Sequence, residues 1–232
     1  MKKITIIFCF ISTLAYCQQR KDKSNSPVFF EKSLKEQKDK GTITEYIEHF
    51  DSIKNVYSNF KYRIAFDAPD HWKSDGGVSE HTIFRIYEAD SAITFSINVI
   101  EIKLTKEEKK EAGKLNIWEF YLNNKEKMDY PYKVILPKQF KSEIKDFTVK
   151  KSYLKNQVAV KRSFNYMVRQ LDYEYSNTSI VYQTSIDNLT YTLGLDVPTT
   201  FYDENPEYYE NLFLNISFLL NKEDLNKYLN QK

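Results

Sequence analysis

The chain has 232 residues, with 34 basic and 32 acidic side chains, 18 tyrosines, 16 phenylalanines and only five glycines. The aromatic content favours a β-rich body, and the scarcity of glycine argues against glycine-rich loops that cradle phosphates. The length suits one domain that buries most of its apolar surface without covalent cross-links.

Residues 1–17 predict an export signal, because a short positive start is followed by an apolar run. This run is shorter than the roughly 20 residues that a membrane span needs. Small residues at the end of the run place the cleavage between Cys17 and Gln18. A second interpretation stays open, since 14–17 resembles a bacterial lipoprotein box in which Cys17 is acylated, although Tyr16 departs from the small residue preferred there.

Excision of the leader changes the charge and the thiol content of the protein. It removes two lysines and no acid, so 32 basic residues remain against 32 acidic ones. A neutral chain lacks the electrostatic footprint of a nucleic-acid binder, so no nucleic-acid partner is expected. Both cysteines, Cys9 and Cys17, lie in the leader, which leaves no disulfide in the exported domain. We expect a periplasmic or secreted protein, or an outer-membrane-anchored lipoprotein if Cys17 carries a lipid.

The first part of the chain predicts a tether, a helix and a strand. Residues 18–27 are polar and predict a mobile tether, after which 28–232 form a single globular domain. A capping box and apolar residues at i, i+3, i+4 and i+7 predict a short helix over 43–54. Alternating apolar residues over 60–66 predict a half-buried strand that ends in a turn at 67–70.

The middle of the chain predicts a hairpin and then a long helix. Two β-type runs at 81–87 and 92–103 are joined by a short polar segment, which indicates an antiparallel hairpin. A second capping box and an apolar stripe predict a helix over 106–128. Pro131 and Pro137 then mark a linker.

The last part predicts an antiparallel meander followed by a helix. Four β-type runs are separated by short polar breaks. They are 146–154, 158–170, 173–186 and 189–197. Asn205 as a cap and Pro206 at the first helical position open a periodic helix that reaches Leu220, and 221–232 predict one more short helix. Strands grouped between helices indicate an α+β domain, with an antiparallel sheet of six to seven strands covered by helices in a three-layer sandwich.

Two segments resemble the PsbP-like superfamily, which includes the extrinsic photosystem subunit and many exported bacterial proteins. The segment 57–72 (YSNFKYRIAFDAPDHW) is similar to the first strand of that group and its turn with Pro and Trp. The segment 191–198 (YTLGLDVP) leads into a final helix that ends with 215–218 (NISF). The resemblance spans 57–220 and implies an α/β/α sandwich with a noncatalytic adaptor or binding role. It transfers no functional residue, because the superfamily shares a scaffold more than a site.

Motifs for catalysis, metals and cofactors are missing from the sequence. It has no G-x-S-x-G elbow, and no cysteine remains after the leader. His71 and His81 each follow an acidic residue, but their spacing matches no compact metal signature. The sequence therefore predicts no catalytic residue, no metal site and no cofactor.

Aromatic side chains are the main candidates for binding. Trp72, Tyr202 and Tyr208 lie next to turns or the last helix, where aromatic rings can contact sugars, lipids or partner proteins. For Tyr173 and Tyr175, which share one face of a strand, core packing is the favoured interpretation. The hypothesis is a noncatalytic binding or adaptor domain of the cell envelope with a protein or small-molecule partner. The alternative is an exported hydrolase without a recognisable motif.

Overall fold

The computed structural model describes residues 48–74, 79, 81–88, 91–102, 116–170 and 173–220. The export signal with Cys17 and Gln18, the tether, and the helix predicted over 221–232 lie outside these residues. No helix in the described ranges has the length and apolar character needed to cross a membrane.

Two antiparallel sheets form the described body. The strands in chain order are β1 (Glu48–Asp51), β2 (Val56–Asn59), β3 (Ile64–Asp67), β4 (Trp72–Ser74), β5 (Thr82–Glu88), β6 (Thr94–Glu101), β7 (Lys145–Leu154), β8 (Gln157–Gln170), β9 (Tyr173–Ile186), β10 (Leu189–Pro198) and β11 (Ile216–Phe218). One sheet has seven strands in the order β4-β5-β6-β10-β9-β8-β7, and the other has four in the order β1-β2-β3-β11. The α+β class, the β5–β6 hairpin and the β7–β10 meander are therefore confirmed.

The helices are short. They are α1 (Ile117–Asn123), α2 (Lys125–Tyr130), α3 (Leu136–Phe140), α4 (Thr199–Glu204) and α5 (Pro206–Asn211). A capping box starts α1, because the Asn116 side chain accepts from the backbone N–H groups of Trp118 and Glu119 while the Glu119 carboxylate accepts from the Asn116 N–H. Of the helix predicted over 106–128, the described part is divided between α1 and α2, and 103–115 lie outside the described residues.

The helix predicted over 43–54 is wrong where it is described, since β1 lies at its centre. The Asp51 carboxylate accepts from the N–H groups of Ile53 and Lys54, and Asn55 adopts a left-handed φ of 55°, so the chain turns back into β2. The strand predicted over 60–66 is also interrupted, because the Asn59 side chain accepts from Tyr62 N–H in the turn before β3. Asx turns therefore outweigh the apolar periodicity in this region.

Two predictions near the prolines are wrong as well. The linker around Pro131 and Pro137 is helical, with a π-helical segment (Pro131–Ile135) between α2 and α3. A proline has no N–H to donate to the preceding turn, and a π-helical segment is one way in which a helix absorbs this loss. The last helix stops at Asn211, and after a 3₁₀ turn the segment Ile216–Phe218 joins the smaller sheet as β11 beside β3.

The two faces of the larger sheet are covered differently. Helices α1 and α3 pack over β8 on one face, and their buried residues form two local clusters with that strand. The other face contacts the smaller sheet, since Tyr57 stacks on Phe84 at 4.1 Å and Phe66 on Phe95 at 4.8 Å. Phe213, just after α5, adds an edge contact to Phe95 at 5.2 Å. The smaller sheet and α5 thus share the main core with this face of the larger sheet.

Candidate functional site

The first wall of the candidate site forms where β4 pairs with β5. Trp72 begins β4 opposite Glu88. Its backbone N–H donates to Pro69 O at 3.1 Å in the preceding turn. The indole is buried, with 4% of its surface exposed. His71 therefore lies beside the end of β5, where its Nε2 is 3.7 Å from Glu88 Oε1.

The second wall is the corner between α4 and α5. The Asn205 side chain caps α5 by accepting from the N–H of Tyr208 at 3.2 Å, and Pro206 occupies the first turn. This cap fixes the start of the helix that carries Tyr208 and Tyr209. Their rings meet nearly perpendicularly, with centroids 5.1 Å apart and planes at 77°.

A cleft of about 360 Å³ lies between the two walls. We call it the aromatic cleft, and it is lined by His71, Glu88, Phe201, Glu204, Asn205, Tyr208 and Tyr209. Trp72 Nε1 donates to the Tyr208 hydroxyl at 3.3 Å, which joins the walls although the two residues are 136 positions apart in sequence. The volume falls within the range typical of small-ligand pockets, roughly 300–1,000 Å³.

The lining of the aromatic cleft combines apolar ring surfaces with two carboxylates. Burial raises the pKa of Tyr209, and the neighbouring charges of Glu88 and Glu204 raise it further. Phe201 keeps 44% of its surface exposed. Apart from His71, no lining residue carries a basic group. The arrangement can therefore hold an apolar group against the rings and a polar or positive group near the carboxylates.

The structure brings together two of the three aromatic residues selected from the sequence. Trp72 and Tyr208 contact each other, but of the three only Tyr208 lines the aromatic cleft, since Trp72 and Tyr202 are absent from its lining. The Tyr202 hydroxyl instead donates to Glu210 Oε1 at 3.1 Å behind this wall. Tyr173 is 77% exposed, so the packing interpretation is wrong for this residue.

The two histidines considered for a metal cannot share an ion. His71 lies near Glu88 at one end of β5, and His81 precedes the other end of the same strand. A seven-residue strand is about 20 Å long, far beyond any common coordination sphere. Among the residues that the structure describes, no group of three or more His, Cys, Asp or Glu side chains is placed to hold a metal.

Two buried ionic contacts were missed by the sequence reasoning. Arg162 on β8 pairs with Asp129 of α2, and Lys161 on the opposite side of β8 contacts Glu210 of α5. Neither pair has a local sequence signal, because the partners are distant in the chain.

A broader signal was available for the aromatic cleft, since residues 170–221 contain eight acidic residues and no Lys, Arg or His.

Comparison with known proteins finds similarity in fold. No protein family model and no curated protein sequence matches the chain. The structure is similar to the solution structure of cyanobacterial PsbP (CyanoP) from Synechocystis sp. PCC 6803, with a TM-score of 0.45, 13% identity, and coverage of 70% of this chain and 91% of that one. It is also similar to a crystal structure from Bacteroides thetaiotaomicron VPI-5482, with a TM-score of 0.40, 12% identity, and coverage of 67% of this chain and 45% of that one. The first similarity agrees with the resemblance to PsbP-like proteins, and both concern the fold alone.

Proposed function

We propose that the protein is an exported, noncatalytic binding domain whose ligand occupies the aromatic cleft. The observation that carries this proposal is the cleft of about 360 Å³ in which the Trp72–Tyr208 hydrogen bond fixes two walls from distant parts of the chain. A concave site that combines aromatic rings with polar and charged groups can both bury and orient a ligand. Its lining contains no serine, threonine or cysteine to serve as a nucleophile.

The proposed location rests on the leader. The pattern of residues 1–17 supports export to the periplasm or the medium, and Cys17 supports the alternative of a lipid anchor in the outer membrane. In either case the partner is a protein or small molecule of the cell envelope. The hydrolase alternative would use His71, which lies 3.7 Å from Glu88, as a general base.

A capture experiment tests the binding role. The full chain is expressed with its leader, purified after processing, immobilised and exposed to an envelope extract, and the bound material is identified by mass spectrometry. Tyr208→Ala removes one ring from the aromatic cleft together with the hydroxyl that accepts from Trp72. Tyr153→Ala is the matched control, since Tyr153 is 56% exposed on β7 and does not line the cleft.

The expected result is a ligand retained by the wild type and by the Tyr153→Ala variant but lost with Tyr208→Ala. Circular dichroism spectra of the three proteins show whether the fold is kept. Equal retention by a folded Tyr208→Ala variant would contradict the assignment of the cleft. Turnover of the captured ligand that stops in a His71→Ala variant would favour the hydrolase alternative.

A further inference from the structure

Negative charge is concentrated in the part of the chain that builds the second wall of the aromatic cleft. Between Arg169 and Lys222 lie 52 residues with eight acids and no Lys, Arg or His, although the whole chain has a formal charge of only +2. This stretch contains α4 and α5. Four of these acids, Asp203, Glu204, Glu207 and Glu210, lie on these two helices, and Glu210 pairs with Lys161. The other three carboxylates give this wall a negative charge that attracts an approaching cation.

The first wall does not neutralise this charge. It contributes Glu88, whose carboxylate is 3.7 Å from His71, the one basic group in the lining. The lining therefore holds two carboxylates, Glu88 and Glu204, against one basic side chain, so its acidic groups outnumber its basic ones. Both carboxylates line the cleft together with Tyr209, and after burial their charges help to raise the pKa of its hydroxyl.

The rings supply the second requirement for cation binding. Tyr208 and Tyr209 form a corner, because their planes meet at 77° with centroids 5.1 Å apart. Phe201, with 44% of its surface exposed, adds a third ring to the lining. Ring faces carry negative electrostatic potential, and several rings at steep angles form the cage that binds alkylammonium groups.

We propose that the aromatic cleft binds an alkylammonium cation, either a quaternary ammonium or the ammonium group of a lysine side chain. This inference rests on the proposed binding function and specifies its ligand chemistry. The positive nitrogen lies between Glu88 and Glu204, and its carbon substituents contact Tyr208, Tyr209 and Phe201. A neutral sugar would gain the ring contacts but not the charge attraction, so charge separates the two ligand classes.

The tryptophans provide a reporter with an internal control. The chain has only two, and their indole N–H groups give separate signals in a ¹H–¹⁵N spectrum. Trp72 Nε1 donates to Tyr208 OH at the aromatic cleft, whereas Trp118 lies on α1 and packs against Tyr121. The processed full chain is titrated at constant ionic strength with choline, with lysine amide, and with the neutral alcohol in which carbon replaces the choline nitrogen.

We expect a saturable shift of the Trp72 signal with choline or lysine amide, little shift with the neutral alcohol, and a stationary Trp118 signal. The stronger of the two cations identifies the source of the ammonium group. Glu204→Gln should weaken binding about tenfold, the effect of losing one charged partner. Glu207→Gln is the control, because Glu207 is exposed on α5, close in the chain to Glu204 at the end of α4, and lies outside the lining.

Three results would overturn the proposal: no saturable shift with either cation, an equal response to the neutral alcohol, or unchanged affinity in a folded Glu204→Gln variant. If the Tyr208→Ala variant still loses the captured envelope ligand in any of these cases, the binding function stands and only the cationic class is wrong. If capture also survives that substitution, the cleft is not the binding site.

Discussion

Removal of the Asp129 carboxylate should destabilise the fold strongly, because this group balances a fully buried arginine. Arg162 has no exposed surface, and its Nε is 3.5 Å from Asp129 Oδ1. Two rings flank the guanidinium, with Cζ 5.3 Å from the Tyr121 centroid and 4.9 Å from that of Tyr132. The only hydrogen bond that the guanidinium donates within the described residues goes from Nη1 to Gln183 Oε1 at 3.0 Å.

The size of the expected stability loss follows from the contacts that Arg162 keeps after the substitution. Asp129→Ala leaves the Arg162 charge in the interior with Gln183 as its hydrogen-bond partner, and it also removes the acceptor of the Tyr121 hydroxyl at 3.0 Å. Breaking a buried pair by removing one partner costs about 3–5 kcal/mol. Replacing both partners, as in Asp129→Leu with Arg162→Met, removes the charge as well, and it should cost less than the single change.

Urea unfolding followed by tryptophan fluorescence measures this difference. With a slope of about 2–3 kcal/mol/M, the Asp129→Ala midpoint should fall by about 1–2.5 M. The control is Glu174→Ala, which breaks the exposed Arg169–Glu174 pair and should change stability by less than about 1 kcal/mol. A loss below about 1 kcal/mol for Asp129→Ala, or a double variant less stable than Asp129→Ala, would refute the reasoning.

Three further predictions concern pH, core packing and processing. Burial raises the pKa of Asp196 to about 6 from its ordinary 3.8. Between these two values the folded chain holds a proton that the unfolded chain releases, so the stability of the fold falls as the pH rises from about 4 to 6. Asp196→Asn should remove this fall, which is about 3 kcal/mol for a shift from 3.8 to about 6 and is measured by thermal unfolding across that range. Phe84→Ala should cost about 3–5 kcal/mol in urea unfolding, because the ring stacks on Tyr57 between the sheets; a loss near zero would contradict the packing. Mass spectrometry of the mature N-terminus should show Gln18, unmodified or cyclised, or an acylated Cys17, and an intact Met1 would contradict both.

The larger sheet could be predicted because its signals are local. Each strand from β7 to β10 is an alternating or apolar run, and the breaks between them are too short for anything but antiparallel turns. The failures are local too. Asp51, Asn55 and Asn59 each lie at a turn of the smaller sheet. Helix-like apolar spacing concealed the turn at the first two, and alternating apolar residues concealed the turn at Asn59.

The aromatic cleft could be predicted only in part. Trp72 and Tyr208 stand out as aromatic residues beside turns, but their contact depends on how α5 packs beside β4, which no local pattern encodes. Glu88 is one of 32 acidic residues and has no distinguishing neighbour in the sequence. Its role follows from the register of β4 and β5, which places it opposite Trp72.

The geometry of the aromatic cleft depends on a contact behind it. Helices as short as α4 and α5, six residues each, are not stable alone, so tertiary contacts must hold them. The Glu210 carboxylate provides such a contact, since it accepts from the hydroxyls of Tyr182 on β9 and Tyr202 on α4, both at 3.1 Å, and pairs with the buried Lys161. Because Glu210 lies on the same helix as Tyr208, this anchor holds the second wall in place before any ligand arrives. A wall fixed in advance loses little entropy on binding, which lets a small site retain its ligand.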